Sequence, residues 1–197
     1  MRTPRILRPD RRRNCSRSVE ALGLRLPSLE GRPIRVRFLP ALTAGARKLY
    51  SNEPHGQPVF AATYIRKRVI VLDRELERSS AELARILTHE LFHFAWVRMG
   101  NPVRWAFESL LLEEWKQRAR GELGWSAESR KSRIMLRASP TRNRAKWREY
   151  ACESFCDTAA WLYSGVRRHP EFTLAQRHRD RRALWFRSTF QEAGIPI

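Results

Sequence analysis

Two histidines and a glutamate near the middle of the chain stand in the order His-Glu-x-x-His, within Thr88-His89-Glu90-Leu91-Phe92-His93. On an α-helix, residues four apart share one face at roughly 6 Å between Cβ atoms, close enough for two imidazoles to reach one metal ion. Glu90 would then project beside that ion, where its carboxylate can take a proton from metal-bound water. The chain has five histidines. Two of them at this spacing around a glutamate argue for a metal site over the alternative, two histidines satisfied on a half-buried helix.

A catalytic zinc needs three protein ligands and one open position. His55 lies in a loop, His169 precedes Pro170 and His178 sits in an arginine-rich run. None continues the motif as x-x-Gly-x-x-His, so a three-histidine site of that kind is not expected. A better donor lies downstream, where Glu149, Glu153 and Asp157 fall at four-residue steps along one helical face. Carboxylates stacked this way repel one another unless a cation is near. Their helix is otherwise apolar at Trp147, Ala151, Phe155 and Ala159, so the stripe calls for either arginine partners or a metal. In the metal reading one acid is the third ligand, and the next orients a histidine through its other ring nitrogen. Cys152 and Cys156 are read as small buried hydrophobes rather than soft ligands.

Several elements must position these groups. The metal-binding stretch is expected to be a helix from Ser80 to Met99, capped by Ser79 or Ser80 with Glu82 in support and ended by Gly100-Asn101-Pro102. Just before it, Val59 to Tyr64 and Val69 to Leu72 read as two strands joined near Arg66-Lys67-Arg68. An extended substrate can add to the exposed edge of such a pair. Upstream, Ile34, Val36 and Phe38 alternate with Arg35 and Arg37 as in a half-buried strand, and residues 41–58 read as loop or short helix. Further helices are expected over Val103–Arg120, Ser126–Leu136, from Ser139-Pro140 to Ser164, and over Leu174–Gln191. The sum is an α+β fold, a small twisted sheet preceding a mostly helical region. Residues 1–18 form a basic, flexible arm, and residues 19–197 a single domain.

On these residues the stretch from Val69 to Ser164 resembles the zincin metallopeptidases, in particular the glutamate-ligand branch called gluzincins. Some members carry a Glu-x-x-Ala-Glu-x-Phe run whose first glutamate binds zinc, and Glu149-Tyr150-Ala151-Cys152-Glu153-Ser154-Phe155 looks like that run with Cys152 in place of alanine. The resemblance implies Zn2+ held by His89, His93 and Glu149, with Glu153 and Asp157 behind them. The other register, Glu153 as ligand backed by Asp157, fits the spacing of thermolysin-like members equally well. Glu149 is preferred because Phe155 follows Glu153. The implied reaction is peptide-bond hydrolysis by zinc-activated water, with Glu90 as general base. Tyr64, Tyr150, Tyr163 and His169 are the candidates for stabilising the oxyanion.

Composition bounds the setting. The 197 residues carry 39 Lys+Arg against 20 Asp+Glu, net +19, a field that favours polyanions and makes nucleic acid a possible partner beside a peptide or protein substrate. This leaves two alternatives to a general peptidase. One is a protease acting on DNA-bound proteins, in the manner of zincins resembling the SprT group; the other is a basic binder without turnover. Three cysteines, Cys15, Cys152 and Cys156, make no disulfide framework, and no apolar segment follows the basic N-terminus. A reduced, cytoplasmic protein without a membrane span is expected.

Overall fold

Side chains alternating in type along Ile34–Leu39 alternate in burial too, with Ile34 and Val36 inside and Arg35 and Arg37 outside. That is the period-two signature of a sheet with one covered face. The computed structural model describes residues 7–9, 22–46, 48–53, 55–135, 140–190 and 194–197. The strands in chain order are β1 (Leu7–Pro9), β2 (Leu29–Glu30), β3 (Ile34–Leu39), β4 (Leu42–Gly45), β5 (Lys48–Ser51), β6 (Gln57–Pro58), β7 (Ala61–Tyr64), β8 (Val69–Asp73) and β9 (Ile195–Pro196). The main sheet has the order β1-β3-β8-β7, parallel except for the antiparallel β7–β8 hairpin at one edge. A two-stranded ribbon pairs β2 with β9, and a three-stranded sheet has the order β5-β4-β6.

The helices are α1 (Ser80–Arg98), α2 (Asn101–Lys116), α3 (Trp125–Met135), α4 (Arg144–Tyr163) and α5 (Gln176–Phe190), with short 3-10 turns at Arg74–Arg78 and Pro140–Arg142. The fold is α+β. Ser79, one of the two residues expected to cap α1, does so by accepting the Glu82 amide. Pro102 stands in the first turn of α2, where its missing N–H costs nothing.

Two features differ from the sequence reading. Within residues 41–58, read as loop or short helix, Leu42–Gly45 and Lys48–Ser51 pair as the β4–β5 hairpin and Gln57–Pro58 form β6. The turn needs Ala46 at φ +48°, a conformation that residue type does not advertise. Leu7–Pro9, within the segment read as a free arm, pair in parallel with Ile34–Val36. The remainder of that arm lies outside the described residues.

α1 lies between the sheet and α4, and Leu83, Leu87, Leu91, Phe92 and Phe94 are fully or almost fully buried. Phe155 of α4 anchors the other side, stacked on Phe186 at 4.9 Å and tilted against Trp96 at 5.2 Å. Replacing such a buried phenylalanine with alanine costs about 3–5 kcal/mol. Beneath α4 is a buried ionic cluster. Glu122 accepts from Arg182 Nη1 (2.8 Å), Lys131 Nζ (2.9 Å), Tyr150 Oη (2.6 Å) and Ser154 Oγ (3.2 Å), while Arg182 also pairs with Glu114 (2.6 Å). The cluster ties the segment entering α3 to α4 and α5. Burial would raise the Glu122 carboxyl, but the charges of Arg182 and Lys131 and the hydrogen bonds from Arg182 and Tyr150 outweigh it and hold it at about 2.

Candidate metal centre

The periodicity of α1 sends its leucines into the core and leaves His89, Glu90 and His93 on the side that looks toward α4 and β7. The two imidazoles meet edge to face, with ring centroids 4.9 Å apart, as residues one turn apart on a helix should. Both are held from behind by α4, through different side chains.

His89 is held by α4. Its Nδ1 donates to Asp157 Oδ1 at 2.7 Å, and Asp157 Oδ2 accepts the Ala127 amide at 3.0 Å. The carboxylate is thus fixed by the first turn of α3 before it meets the ring. Gly124 makes that approach possible, because a Cβ there would stand 2.3 Å from the Asp157 carboxyl group. With Nδ1 engaged, Nε2 faces Glu153 Oε2 at 3.2 Å, and the other Glu153 oxygen pairs with Arg130 at 2.9 Å. Burial opposes a charge on His89, yet Asp157 and then Glu153 hold the imidazole well above its usual range. Burial would likewise raise Glu153, but the hydrogen bond and charge of His89, with the charges of His93 and Arg130, bring it to about 2.

His93 is backed by sulfur. Its Nδ1 lies 3.4 Å from Cys152 Sγ and 3.5 Å from Cys156 Sγ. Both cysteines are free thiols. The hydrogen bond between them lowers Cys152, burial opposes, and contact with His93 assists, leaving it at about 6. Burial pushes the Cys156 thiol up.

Two donor sets therefore share both histidines and differ in the third atom. One takes Glu153. In the other, Cys156 Sγ and one nitrogen from each histidine lie within 4.8 Å of one another. Ligand atoms on one tetrahedral ion at about 2.0–2.1 Å stand about 3.3 Å apart. The 3.2 Å from His89 Nε2 to Glu153 matches that spacing and leaves Nδ1 with its carboxylate. Cys156 is fully buried. The residues present are of types that zinc takes; Glu153 stands at ligand spacing from His89 Nε2, whereas the Cys156 set is the one in which all three ligand atoms lie within 4.8 Å of one another.

Glu149, the ligand preferred from sequence, is exposed, one helical turn before Glu153. α4 meets α1 at the level of Glu153 and Asp157, so the acid next to His89 Nε2 is Glu153 and the orienting acid is Asp157. The oxyanion candidates are engaged elsewhere. Tyr150 donates to Glu122, and Tyr163 stacks on Phe92 with ring centroids 5.5 Å apart. His169 Nε2 is 2.7 Å from Glu82, and Tyr64 is exposed with Lys67 over its ring.

Glu90 looks the other way, toward the sheet edge, where its Oε2 accepts from Thr63 Oγ1 at 2.5 Å. His89 and Glu90 share a cleft of about 370 Å³ with Phe60, Ala61, Trp125 and Ser126. Phe60 and Trp125 are exposed at 57% and 67%. Sequence reasoning missed Thr63, Gly124, Ala127 and Arg130. Strand parity could have found Thr63, since it points to the same face as Ile70 and Leu72. Arg130 is one arginine among many and carries no distinguishing signal. Comparison with protein-family models, with curated proteins and with solved structures gave no match.

Proposed function

We propose that the chain is a zinc-dependent peptidase whose ion is held by His89, His93 and Glu153. The observation that carries this reading is the pair of contacts on His89. Asp157 holds Nδ1 at 2.7 Å, and Glu153 stands 3.2 Å from Nε2. One fixes the tautomer; the other supplies a second donor at ligand spacing. The chemistry that a bound zinc supplies is Lewis acidity toward water and toward a carbonyl oxygen.

The chain's own groups do the rest. Glu90 follows His89 directly and holds its carboxylate at the cleft through Thr63, placed to accept a proton and to return it to a leaving amine. β7 is the sheet's edge strand, hydrogen-bonded only to β8 among the described residues. Its free side can pair with an extended polypeptide, which favours a peptide over a small ester as substrate. The free thiols of Cys152 and Cys156 suit a reducing, cytoplasmic setting. No described helix is long and apolar enough to cross a membrane.

The deciding experiment compares zinc content and peptide cleavage in Glu90→Gln and Glu153→Ala. Glu90→Gln should keep the metal and lose cleavage, whereas Glu153→Ala should lose both. Full cleavage by Glu90→Gln would overturn the reading.

A further inference from the structure

Glu153 and Asp157, one turn apart on α4, divide their oxygens in the same way. Asp157 gives Oδ1 to His89 Nδ1 at 2.7 Å and Oδ2 to the Ala127 amide at 3.0 Å. Glu153 stands with Oε2 3.2 Å from His89 Nε2 and with Oε1 2.9 Å from Arg130 Nη2. Each carboxylate thus turns one oxygen to the imidazole and the other to α3. Ala127 and Arg130, three residues apart, lie on one side of that helix. A main-chain amide holds Asp157, whereas a side chain holds Glu153, so only the second contact depends on the identity of an α3 residue.

The Arg130 guanidinium is itself aimed. Its Nη1 donates to the Ser126 carbonyl at 3.0 Å, one turn back on α3, and a planar fork fixed at one nitrogen directs the other. Lys131, the adjacent cation, is committed to Glu122 and to the Gly121 carbonyl. Among the described residues Arg130 is therefore the one Lys or Arg paired with Glu153. A fixed positive charge beside a metal ligand opposes the binding of a cation. The contact thus does not serve tight metal binding, and its effect is on the orientation of Glu153.

We propose that Arg130 is a positioning residue that holds Glu153 as a one-oxygen ligand and so keeps a position open on the ion. The role rests on the reading of Glu153 as third ligand. A carboxylate can give a metal one oxygen or both, and a catalytic zinc needs three protein ligands and one open position. With Oε1 spent in a charge-assisted hydrogen bond, Oε2 is the oxygen left for the ion. Without Arg130, Oε1 is released to act as a further donor and to compete for the open position.

The test loads the full-length protein with Co2+ and titrates in imidazole, whose entry at an open position shifts the visible bands of the ion. Imidazole is neutral, so the charge of Arg130 does not bias the titration. Arg130→Met keeps the stem without a donor; it should hold about one Co2+ per chain and need at least about tenfold more imidazole. Arg130→Lys, which keeps a cationic donor, should stay within about threefold of wild type. So should Arg133→Met, which removes the same charge from an exposed position on α3. Because the ion pair is partly exposed, Arg130→Met should lower the melting temperature by at most about 4 °C. Wild-type imidazole affinity in Arg130→Met would overturn the proposal, as would its loss of Co2+ or a much larger fall in melting temperature. Glu153→Ala separates this failure from that of the underlying reading. If Glu153→Ala keeps Co2+ with wild-type bands, Glu153 is not a ligand and both fall. If it loses Co2+ while Arg130→Met binds imidazole as wild type does, the positioning role alone falls.

Discussion

Asp157 and His89, 68 residues apart in sequence, meet through a 2.7 Å carboxylate–imidazole hydrogen bond while the second Asp157 oxygen is spent on the Ala127 amide. The carboxylate therefore has little freedom to follow the ring, and the ring must present Nε2 outward. Asp157→Asn leaves a similar shape but loses the charge that holds the tautomer, and zinc affinity should fall about 10–100-fold in a chelator competition. Gly124→Ala should act on the same contact through sterics, lowering the melting temperature as well as the affinity.

The third ligand can be tested by comparing two neighbours on α4. Glu153→Ala should leave well below one zinc per chain after gentle purification, and Glu149→Ala should keep about one. Elemental analysis reads the difference directly. Retention by Glu153→Ala with loss by Glu149→Ala would reassign the ligand.

Thr63 reaches Glu90 from the edge strand, so its hydroxyl should matter to turnover and not to metal content. Thr63→Val removes one hydrogen bond to a charged group, worth about 1.5 kcal/mol, or roughly tenfold in kcat. Glu90→Gln should cost at least about a hundredfold. Steady-state cleavage with zinc measured on the same samples separates these losses from loss of metal.

The buried cluster around Glu122 predicts an acid-sensitive fold. Its carboxyl is lowered from 4.5 to about 2, so folding depresses the pKa. The stability it contributes is present above the unfolded value and lost as pH falls toward the folded one. The loss should amount to about 3 kcal/mol between roughly pH 5 and pH 2. Urea denaturation across that range should show it. Glu122→Gln should flatten this part of the profile while lowering stability at neutral pH by about 3–5 kcal/mol, since Arg182 and Lys131 lose a partner in the interior.

Local chemistry was legible in the chain wherever a short-range pattern carried it. The Ser79 cap, the strand alternation of Ile34 to Phe38, the β7–β8 pair and the His89–Glu90–His93 face all follow from neighbours within about one helical turn or one strand. The hairpin over Leu42–Ser51 did not, because its turn rests on a backbone conformation that Ala46 adopts only under the constraint of strand pairing.

The acidic stripe marks the boundary between the two kinds of information. Spacing alone placed Glu149, Glu153 and Asp157 on one face of one helix, because the helical period is a property of the backbone. Which turn of that face stands opposite His89 depends on how far α4 slides along α1, and each turn is about 5.4 Å. Packing of Phe155 against Trp96 and Phe186 sets that translation, together with the Glu122–Arg182 cluster below it. Those contacts join segments many residues apart, so only the tertiary structure could bring Glu153 to Nε2, Asp157 to Nδ1, and leave Glu149 in water.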